Sequence, residues 1–309
     1  MNNNKSSMRR VTGFSLGLLA LCAGAQATEN GAPTTAVGVY DFGAGMMPPA
    51  TANGTLGLRT GFYSANVQRN SQGRAVDNHL SLDVLSIGLA YLRMTDYQLL
   101  GAQYGFGAVV PFFRMDASLQ VPTPNGPLQL SADPFRLADA QVIPLILQWS
   151  LSPNLFINTQ LQIQAPTGDY ERKRLVSPGL NHGTVSPAVN ATYISDTGFE
   201  LSSSVQLDIN TRNPDTHYRN GVEYRHEFAV GQHFGPWTAG IGGYYYRQLS
   251  DDDAPDLTRG NRARVMALGP ALSYIAPGLP PVWLHLYKEF DARNRAEGYT
   301  VALRVSHSF

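Results

Sequence analysis

The residues that could support catalysis are few and lie close to predicted loops. His182 and Ser186 are separated by three residues and are the two side-chain types that nucleophilic hydrolysis needs as base and nucleophile. That chemistry also needs a group that orients the histidine and donors for the oxyanion, and no motif supplies either. A loop histidine near a strand serine also occurs without catalysis. We therefore predict that the chain is not an enzyme, with an outer-membrane hydrolase as the minor alternative.

Charged loop residues raise the question of ion binding. Asp251-Asp252-Asp253 with Asp256 could bind a divalent cation, but the run lacks the spaced oxygen ligands of a calcium loop, and a hydrated loop is the alternative. The seven histidines show no metal-ligand spacing. Glu171-Arg172-Lys173-Arg174 could meet lipopolysaccharide phosphates or form a solvated loop. We predict no metal site and no cofactor.

The amino terminus has the three parts of a secretory signal. Residues 1–10 are polar and basic, residues 11–24 are apolar, and Ala25-Gln26-Ala27 forms a small-residue cleavage site. The apolar run is shorter than the roughly 20 residues of a membrane-spanning helix. Cys22, the single cysteine, lies in this segment, and the large Leu21 before it disfavours lipid attachment. We predict a signal peptide over 1–27, export, and a processed chain without cysteine or disulfide bonds.

The charge balance argues against a nucleic-acid partner. The whole chain carries 23 basic and 23 acidic residues. Loss of the signal removes Lys5, Arg9 and Arg10, which leaves a formal charge of −3. Nucleic-acid binding requires a basic surface, so this class of partner is excluded.

The last eleven residues predict a strand with one apolar and one polar face. Residues 299–309 alternate strictly, and the chain stops on Phe309. In an outer-membrane barrel such a strand pairs with the first one and closes the wall. A terminal Phe resembles the signal by which the barrel-assembly machinery recognises its substrates. His307 departs from the aromatic or aliphatic residue usual at the third position from the end.

The rest of the processed chain divides into about twelve alternating segments. They are predicted at 55–67, 79–93, 98–117, 138–150, 154–165, 184–195, 198–210, 216–230, 236–249, 261–275, 281–291 and 297–309. A soluble sandwich would show the same alternation. The connections alternate between short and long, which is typical of an outer-membrane barrel and has no reason to occur in a sandwich. We predict an all-β, transmembrane antiparallel barrel over 54–309, preceded at 28–53 by an irregular periplasmic lead-in or a small plug.

Three positions do not follow the strand pattern. Pro144 and Pro270 lie inside predicted strands, where the missing N–H should interrupt the ladder, and we expect bulges at both. Lys288 shares a face with Leu284 and Leu286. It either extends its ammonium group to the interface or marks a slip in register.

Polar side chains on the predicted inner face are the candidates for lining a lumen. Charges that face each other there either hold a narrow barrel shut or form a selective constriction, for which Arg225 and Arg304 with Glu223 and Glu227 are the candidates. The full set is Asn158, Gln160, Gln162, Gln164, Gln206, Asp208, Glu223, Arg225, Glu227, Glu289 and Arg304.

Several stretches resemble one family, the outer-membrane proteins of the phenol-degradation MetA-pathway type. They are APTGDY at 165–170, DINTRNPDTHYRNG at 208–221, HFG at 233–235, GGYYYRQL at 242–249, NRARV at 261–265, and YGFG at 104–107 followed by Pro111. Pro48-Pro49 is followed by Ala50-Thr51, where such proteins tend to have glycine. The resemblance implies an outer-membrane barrel that transports aromatic or other hydrophobic compounds, with no catalytic residues to carry over.

Together these features predict an outer-membrane barrel through which small hydrophobic or aromatic molecules pass passively. Its expected partners are outer-membrane lipid, lipopolysaccharide, the solute, and the barrel-assembly machinery through Phe309. The competing hypothesis is a structural or loop-mediated binding barrel with a sealed lumen.

Overall fold

The computed structural model describes residues 28–31, 33–124, 126–255, 257 and 261–309, so the predicted signal peptide at 1–27 lies outside the described residues. A short 3-10 helix spans Glu29–Gly31. The strands are β1 Thr55–Arg69, β2 Ala75–Val76, β3 Ser81–Leu99, β4 Ala102–Val121, β5 Leu128–Ala132, β6 Phe135–Leu137, β7 Gln141–Ser152, β8 Leu155–Gln164, β9 Thr184–Ile194, β10 Phe199–Asn210, β11 Glu223–Phe234, β12 Trp237–Gln248, β13 Arg264–Tyr274, β14 Val282–Arg293 and β15 Arg295–Ser308. The described part of the chain contains no helix long and apolar enough to cross a membrane.

The sheet closes on itself through its first and last long strands. β15 pairs with β1 over the whole strand, from Thr55 opposite Ser308 to Arg69 opposite Arg295. The Phe309 N–H extends the ladder by donating to the Gly54 carbonyl (3.1 Å). The short strands β2, β5 and β6 pair with β1 and β4 beside the main path. Twelve strands therefore form a closed antiparallel wall, and the predicted barrel is confirmed.

The two faces of the wall have opposite polarity. In β10, Glu200, Ser202 and Asp208 are buried, whereas the alternating Leu201 and Ile209 are 45% and 49% exposed. A soluble sheet would bury the leucine and isoleucine and expose the acids. Apolar side chains on the outside of a closed wall are instead the arrangement that a bilayer requires, which rejects the sandwich.

Longer connections collect at one end of the wall, which we call the long-loop end. They are residues 70–80, 122–140, 165–183, 211–222 and 249–263. The opposite, short-turn end carries Gly54 and Phe309 and most of the tight links between strands. The link between β14 and β15 departs from the predicted alternation, because Asn294 alone makes that turn at φ 52°. In outer-membrane barrels the long-loop end faces the outside of the cell.

Ten predicted strands lie within four residues of the observed ones at both ends. The second, predicted to end at residue 93, extends to Leu99 in β3, and the eighth is displaced. It was predicted at 216–230, but β11 begins at Glu223. Tyr218 and Val222 continue the alternation of that strand, yet they belong to a loop that contacts the 249–263 loop. A Cβ atom on Gly221 would lie 2.1 Å from the Ser250 carbonyl oxygen, so the two loops touch backbone to backbone.

The three irregular positions have different outcomes. The β7–β8 register shifts between Val142 and Leu145, so the bulge predicted at Pro144 is confirmed. The bulge predicted at Pro270 is wrong: Leu268 and Ala271 keep one register with β14, and Pro270 lies opposite Ile241 of β12 without a shift. The ladder accommodates this proline with local loss of pairing instead. Lys288 stays on the exposed face, between Leu286 and Phe290 along β14 and opposite Leu268, and the register does not slip there.

The sidedness of the wall can be tested at Leu286, which is 46% exposed near the middle of β14. Leu286→Arg would place a charge against the hydrocarbon region, which costs about 2–4 kcal/mol at the bilayer midplane. We expect refolding into lipid vesicles to drop accordingly, measured by heat-modifiable gel migration, while Leu286→Phe refolds like the parent. Equal refolding of the arginine variant would contradict the assignment of the outer face.

Candidate functional site

Residues 28–53, which we call the inner segment, run along the inside of the wall from end to end. At the long-loop end the Thr28 amide donates to Asp252 Oδ2 (2.8 Å). Further along, the Gly45 amide donates to Thr192 Oγ1 (2.8 Å), close to the short-turn end of β9. A Cβ atom on Gly45 would lie 2.2 Å from the Thr192 amide nitrogen, so only glycine allows this approach. The segment then leads into β1 at Thr55.

Glu227 binds the middle of the inner segment through three backbone amides. The Gly38 amide donates to Oε1 (3.0 Å), and the Val39 and Tyr40 amides donate to Oε2 (2.8 and 2.6 Å). Charge-assisted bonds of this kind are stronger than neutral ones. Arg59 of β1 binds the same backbone, because its Nη2 donates to the Gly38 carbonyl (2.9 Å). The irregular backbone at residues 38–40 is thus bound by one acidic and one basic side chain of the wall, Glu227 and Arg59.

Between Glu227 and the long-loop end, three charged side chains of β10 and β11 bind the inner segment. The Thr34 amide donates to Glu223 Oε2 (3.0 Å), and the Thr34 hydroxyl also bonds to Glu223. The Thr35 hydroxyl donates to Asp208 Oδ2 (2.8 Å). Arg225 lies between these acids, with Nε 3.4 Å from Asp208 Oδ2, and its Nη1 donates to the carbonyl of Ala36.

Between Glu227 and the short-turn end, an ionic cluster forms around Asp41, one of the two acidic residues of the inner segment. Its Oδ1 accepts from Arg304 Nη2 (2.8 Å), and its Oδ2 lies 3.2 Å from His285 Nδ1. The Arg304 guanidinium also stacks 4.1 Å from the ring centre of Trp283, whose Nε1 donates to the Phe42 carbonyl (3.0 Å). Asp41, His285 and Trp283 are site residues that the sequence reading missed. His285 and Trp283 stand in an alternating strand without a pattern that marks them.

The amide side chains of β8 form a ladder against the same segment. Asn158 Nδ2 donates to the Ala44 carbonyl (3.0 Å), and Gln162 Nε2 donates to the Tyr40 hydroxyl (3.1 Å). That hydroxyl donates in turn to Gln160 Oε1 (3.2 Å). Eight of the eleven sequence candidates therefore contact the inner segment. They are Asn158, Gln160, Gln162, Asp208, Glu223, Arg225, Glu227 and Arg304.

The other three candidates bond to the wall itself. Gln164 accepts from Gln141 (3.0 Å), and Gln206 donates to Asp208 (2.7 Å). Glu289 is the centre of a second network near the long-loop end: it accepts from Tyr63, Tyr244 and Arg295, at 2.8, 2.8 and 3.1 Å. Whether any of the eleven lines a conducting path stays a prediction.

The inner face of β3 and β4 differs sharply from this polar half. Gly88 lies opposite Arg59 of β1, and Pro111 of β4 lies opposite Gly88, which identifies the inward positions of both strands. We call these positions the apolar stripe, because only one of them, Ser86, carries a hydroxyl group. They are Val84, Ser86, Gly88, Ala90, Leu92, Val109, Pro111, Phe113 and Met115. All but Met115 are only partly buried, whereas the polar candidates of β8, β10 and β11 are almost fully buried.

An apolar cluster lies at each end of the stripe. Near the long-loop end, Phe113 and Met115 pack with Leu175 and Val176 of the 165–183 loop. Toward the short-turn end, Leu92 and Val109 pack with Met94, Ile143 and Ile146 and with Met47 and Ala50 of the inner segment. Between the clusters the stripe consists of small or flat residues, namely Ser86, Gly88, Ala90 and Pro111. An apolar strip of surface thus runs beside the polar contacts that hold the inner segment.

The catalytic and metal candidates have structural partners. The Ser186 hydroxyl donates to Asp208 Oδ1 (2.6 Å), and His182 Nδ1 lies 3.3 Å from the Gly183 carbonyl, so the two do not form a base–nucleophile pair. Of the acidic run, Asp252 accepts from the Gly221 amide (2.8 Å), Asp253 pairs with Arg212 and Arg219, and Asp256 lies outside the described residues. Within the described ranges, no three His, Cys, Asp or Glu residues are grouped to hold a metal ion.

Comparisons with known proteins agree with this architecture. Residues 65–305 match the family model described as "Putative MetA-pathway of phenol degradation". An outer membrane channel from Pseudomonas putida F1 is similar at 16% identity and a TM-score of 0.72, covering 85% of this chain and 97% of that one. The β domain of the Bordetella autotransporter BrkA is more distant, at 12% identity and a TM-score of 0.48, covering 83% and 100%. No curated protein sequence matches the chain.

The role of Glu227 in binding the inner segment can be tested with Glu227→Gln. The amide keeps one acceptor oxygen but loses the charge and the second acceptor, while three backbone donors stay in place. We expect mean ion conductance in planar bilayers to rise about threefold or more, because the loss of a charged acceptor at a buried site costs roughly 1–3 kcal/mol. Glu297→Gln is the matched control, since Glu297 pairs with Arg69 at the rim (2.7 Å). Unchanged conductance in Glu227→Gln would contradict this role.

Proposed function

This chain belongs to the phenol-degradation MetA-pathway family of outer-membrane barrels, and from that membership we propose that it lets small hydrophobic or aromatic compounds cross the outer membrane passively. The observation that carries the proposal is the divided interior. β8 to β11 with β14 and β15 present polar side chains to the inner segment, whereas β3 and β4 present an apolar stripe that stays partly exposed.

The chemistry of the stripe selects the class of solute. A hydrated ion or sugar would lose water on an apolar surface without receiving hydrogen bonds in return, which is costly. A small aromatic or aliphatic molecule gains from burying its surface there. Pockets for such ligands are mostly apolar with few polar groups, and the stripe has that composition.

In this proposal the inner segment acts as a plug. Its bonds to Glu227 and Asp208, and those of its own Asp41 to Arg304, occupy the polar side of the lumen, so little of that side is left open to water and ions. The polar candidates then hold the plug, and selectivity comes from the opposite side. We assign no catalytic step to the chain.

The remaining partners follow from exposed residues. Phe309 is 54% exposed at the short-turn end, where its strand would meet the barrel-assembly machinery during insertion. Arg172 and Lys173 are exposed in a loop of the long-loop end, whereas Arg174 already pairs with Asp169. We propose that the first two contact lipopolysaccharide phosphates, and that residues 1–27 direct export and are removed.

The solute path is tested by filling the middle of the stripe. A Cβ atom on Gly88 would meet nothing closer than the Arg59 carbonyl oxygen at 3.9 Å, so a side chain there enters open space. Gly88→Phe should lower uptake of a monoaromatic hydrocarbon into cells or vesicles about fivefold by narrowing the path, with Gly88→Ala close to the parent. Equal uptake by the phenylalanine variant would exclude this route.

Deletion of residues 34–45 separates the transport barrel from a sealed structural barrel. Without these residues the polar half of the lumen loses its occupant, and we expect stable ion conductance in planar bilayers where the parent shows little. The decisive comparison is uptake of the hydrophobic solute by the parent. If the parent shows none while the deletion conducts ions, the lumen is sealed and the barrel serves a structural or loop-binding role.

A further inference from the structure

Thr28 occupies an enclosed position at the long-loop end of the barrel. Its side chain and backbone are only 3% exposed, and its nitrogen lies 2.8 Å from Asp252 Oδ2. The next residue is fixed as well, because the Glu29 amide donates to Asn220 Oδ1 (2.9 Å) and Glu29 Oε2 accepts from Asn213 (2.8 Å). The start of the inner segment is therefore held between the 211–222 and 249–263 loops.

The Asp252 carboxylate is fixed on every side by wall and loop donors. Oδ2 also accepts from the Tyr218 hydroxyl (2.6 Å), and Oδ1 accepts from the Gly221 amide (2.8 Å) and Gln248 Nε2 (2.6 Å). Burial and the neighbouring carboxylate raise the pKa of Tyr218, so its hydroxyl stays protonated and donates. Asp252 is 7% exposed, and the bonds described here bring it neutral donors only. Burying a charged carboxylate costs free energy unless it is paired, so a cationic partner would stabilise Asp252.

The position of Thr28 in the sequence supplies that cation. Thr28 directly follows Ala25-Gln26-Ala27, the predicted cleavage site. Cleavage there turns the Thr28 peptide nitrogen into an α-amino group, which is protonated at neutral pH and has three donors. Thr28 also has φ 66°, a conformation that a β-branched residue adopts at a steric cost imposed by the preceding carbonyl. Removal of residue 27 removes that carbonyl.

We propose that Asp252, with Tyr218, Gly221 and Gln248, forms a receptor for the α-ammonium group of the processed chain at Thr28. Capture of a terminal amine by a carboxylate and surrounding backbone is a known mode of recognition. Signal removal would then complete the docking of the inner segment. The segment becomes fixed at both ends, by the ammonium–Asp252 pair at the long-loop end and by β1 at the short-turn end. This inference does not depend on which solute crosses the barrel.

The experiment compares two refolded chains that differ only in front of Thr28. One begins at Thr28, and the other carries Gly-Ser-Gly before it, which leaves an amide N–H at Thr28 but no charge. Ala44→Cys, a buried position of the inner segment, provides a single thiol in both, because the processed chain has no cysteine. The readout is the rate of maleimide labelling in detergent. Heat-modifiable migration confirms that each barrel is folded.

We expect the extended chain to label about tenfold faster than the chain that begins at Thr28, because a charge-assisted bond is replaced by a neutral one. Asp252→Asn should accelerate labelling similarly in the Thr28 chain and add little in the extended chain. Asp251→Asn is the matched control, since Asp251 is half-exposed and pairs with Arg262 (2.6 Å).

Two results would overturn the proposal. If both chains label at the same rate, the charge of the amino terminus contributes nothing, and an effect of Asp252→Asn alone would make Asp252 a loop-bracing residue. The intact mass of protein purified from outer membranes must also correspond to a start at Thr28, and any other start excludes the pairing.

Discussion

The structure depends on satisfying irregular backbone inside a membrane-spanning wall. The described part of the inner segment has no strand and only one short 3-10 helix, so few of its amides and carbonyls bond to each other. Backbone groups buried without partners cost free energy comparable to a lost hydrogen bond. The wall meets this requirement with side chains of complementary type, in which acids such as Glu227 accept from amides and bases such as Arg59 donate to carbonyls. The charge pattern of β10, β11 and β15 is best understood as a template for that segment.

This requirement explains why the interior is divided. The side chains that hold the segment come mainly from β8 to β11 and from β14 and β15, so the segment lies against that part of the wall. Apart from Leu92 and Val109, which pack with Met47 and Ala50 of the segment, β3 and β4 face it across the lumen with small and apolar residues. Polar groups on those strands would have no backbone to bind, whereas apolar groups there offer a surface on which a hydrophobic solute gains free energy. In the proposed function, plugging and selectivity are therefore carried by different strands.

Much of the wall could be predicted from sequence because its signal is local. Alternation fixed the strands, the length of the connections fixed the sidedness, and the alternating face of β8 and β10 identified Asn158, Gln162 and Asp208 as interior. The route of residues 28–53 could not be predicted, since it has no periodicity and most of its partners lie at least 113 positions away. His285, which lies 244 positions from Asp41, was missed for the same reason, whereas Arg59 lies only 21 positions from Gly38 but has no pattern that marks it. The eighth strand was misplaced because Tyr218 and Val222 continue an alternation that the loop does not obey.

The contacts of the inner segment define its position but contribute little net stability. Each hydrogen bond adds only about 0.5–1.5 kcal/mol net, and buried charges such as Arg225 and Glu223 also lose hydration when they leave water. Removing one partner costs more than the pair contributes, because the other is left unpaired. These contacts therefore add little to the free energy of unfolding. They do disfavour any other position of the segment, because a shifted segment would leave buried charges unpaired. A segment fixed by specific polar contacts rather than by a large apolar interface can shift without unfolding the wall, because the wall's own ladder from β1 to β15 does not include it.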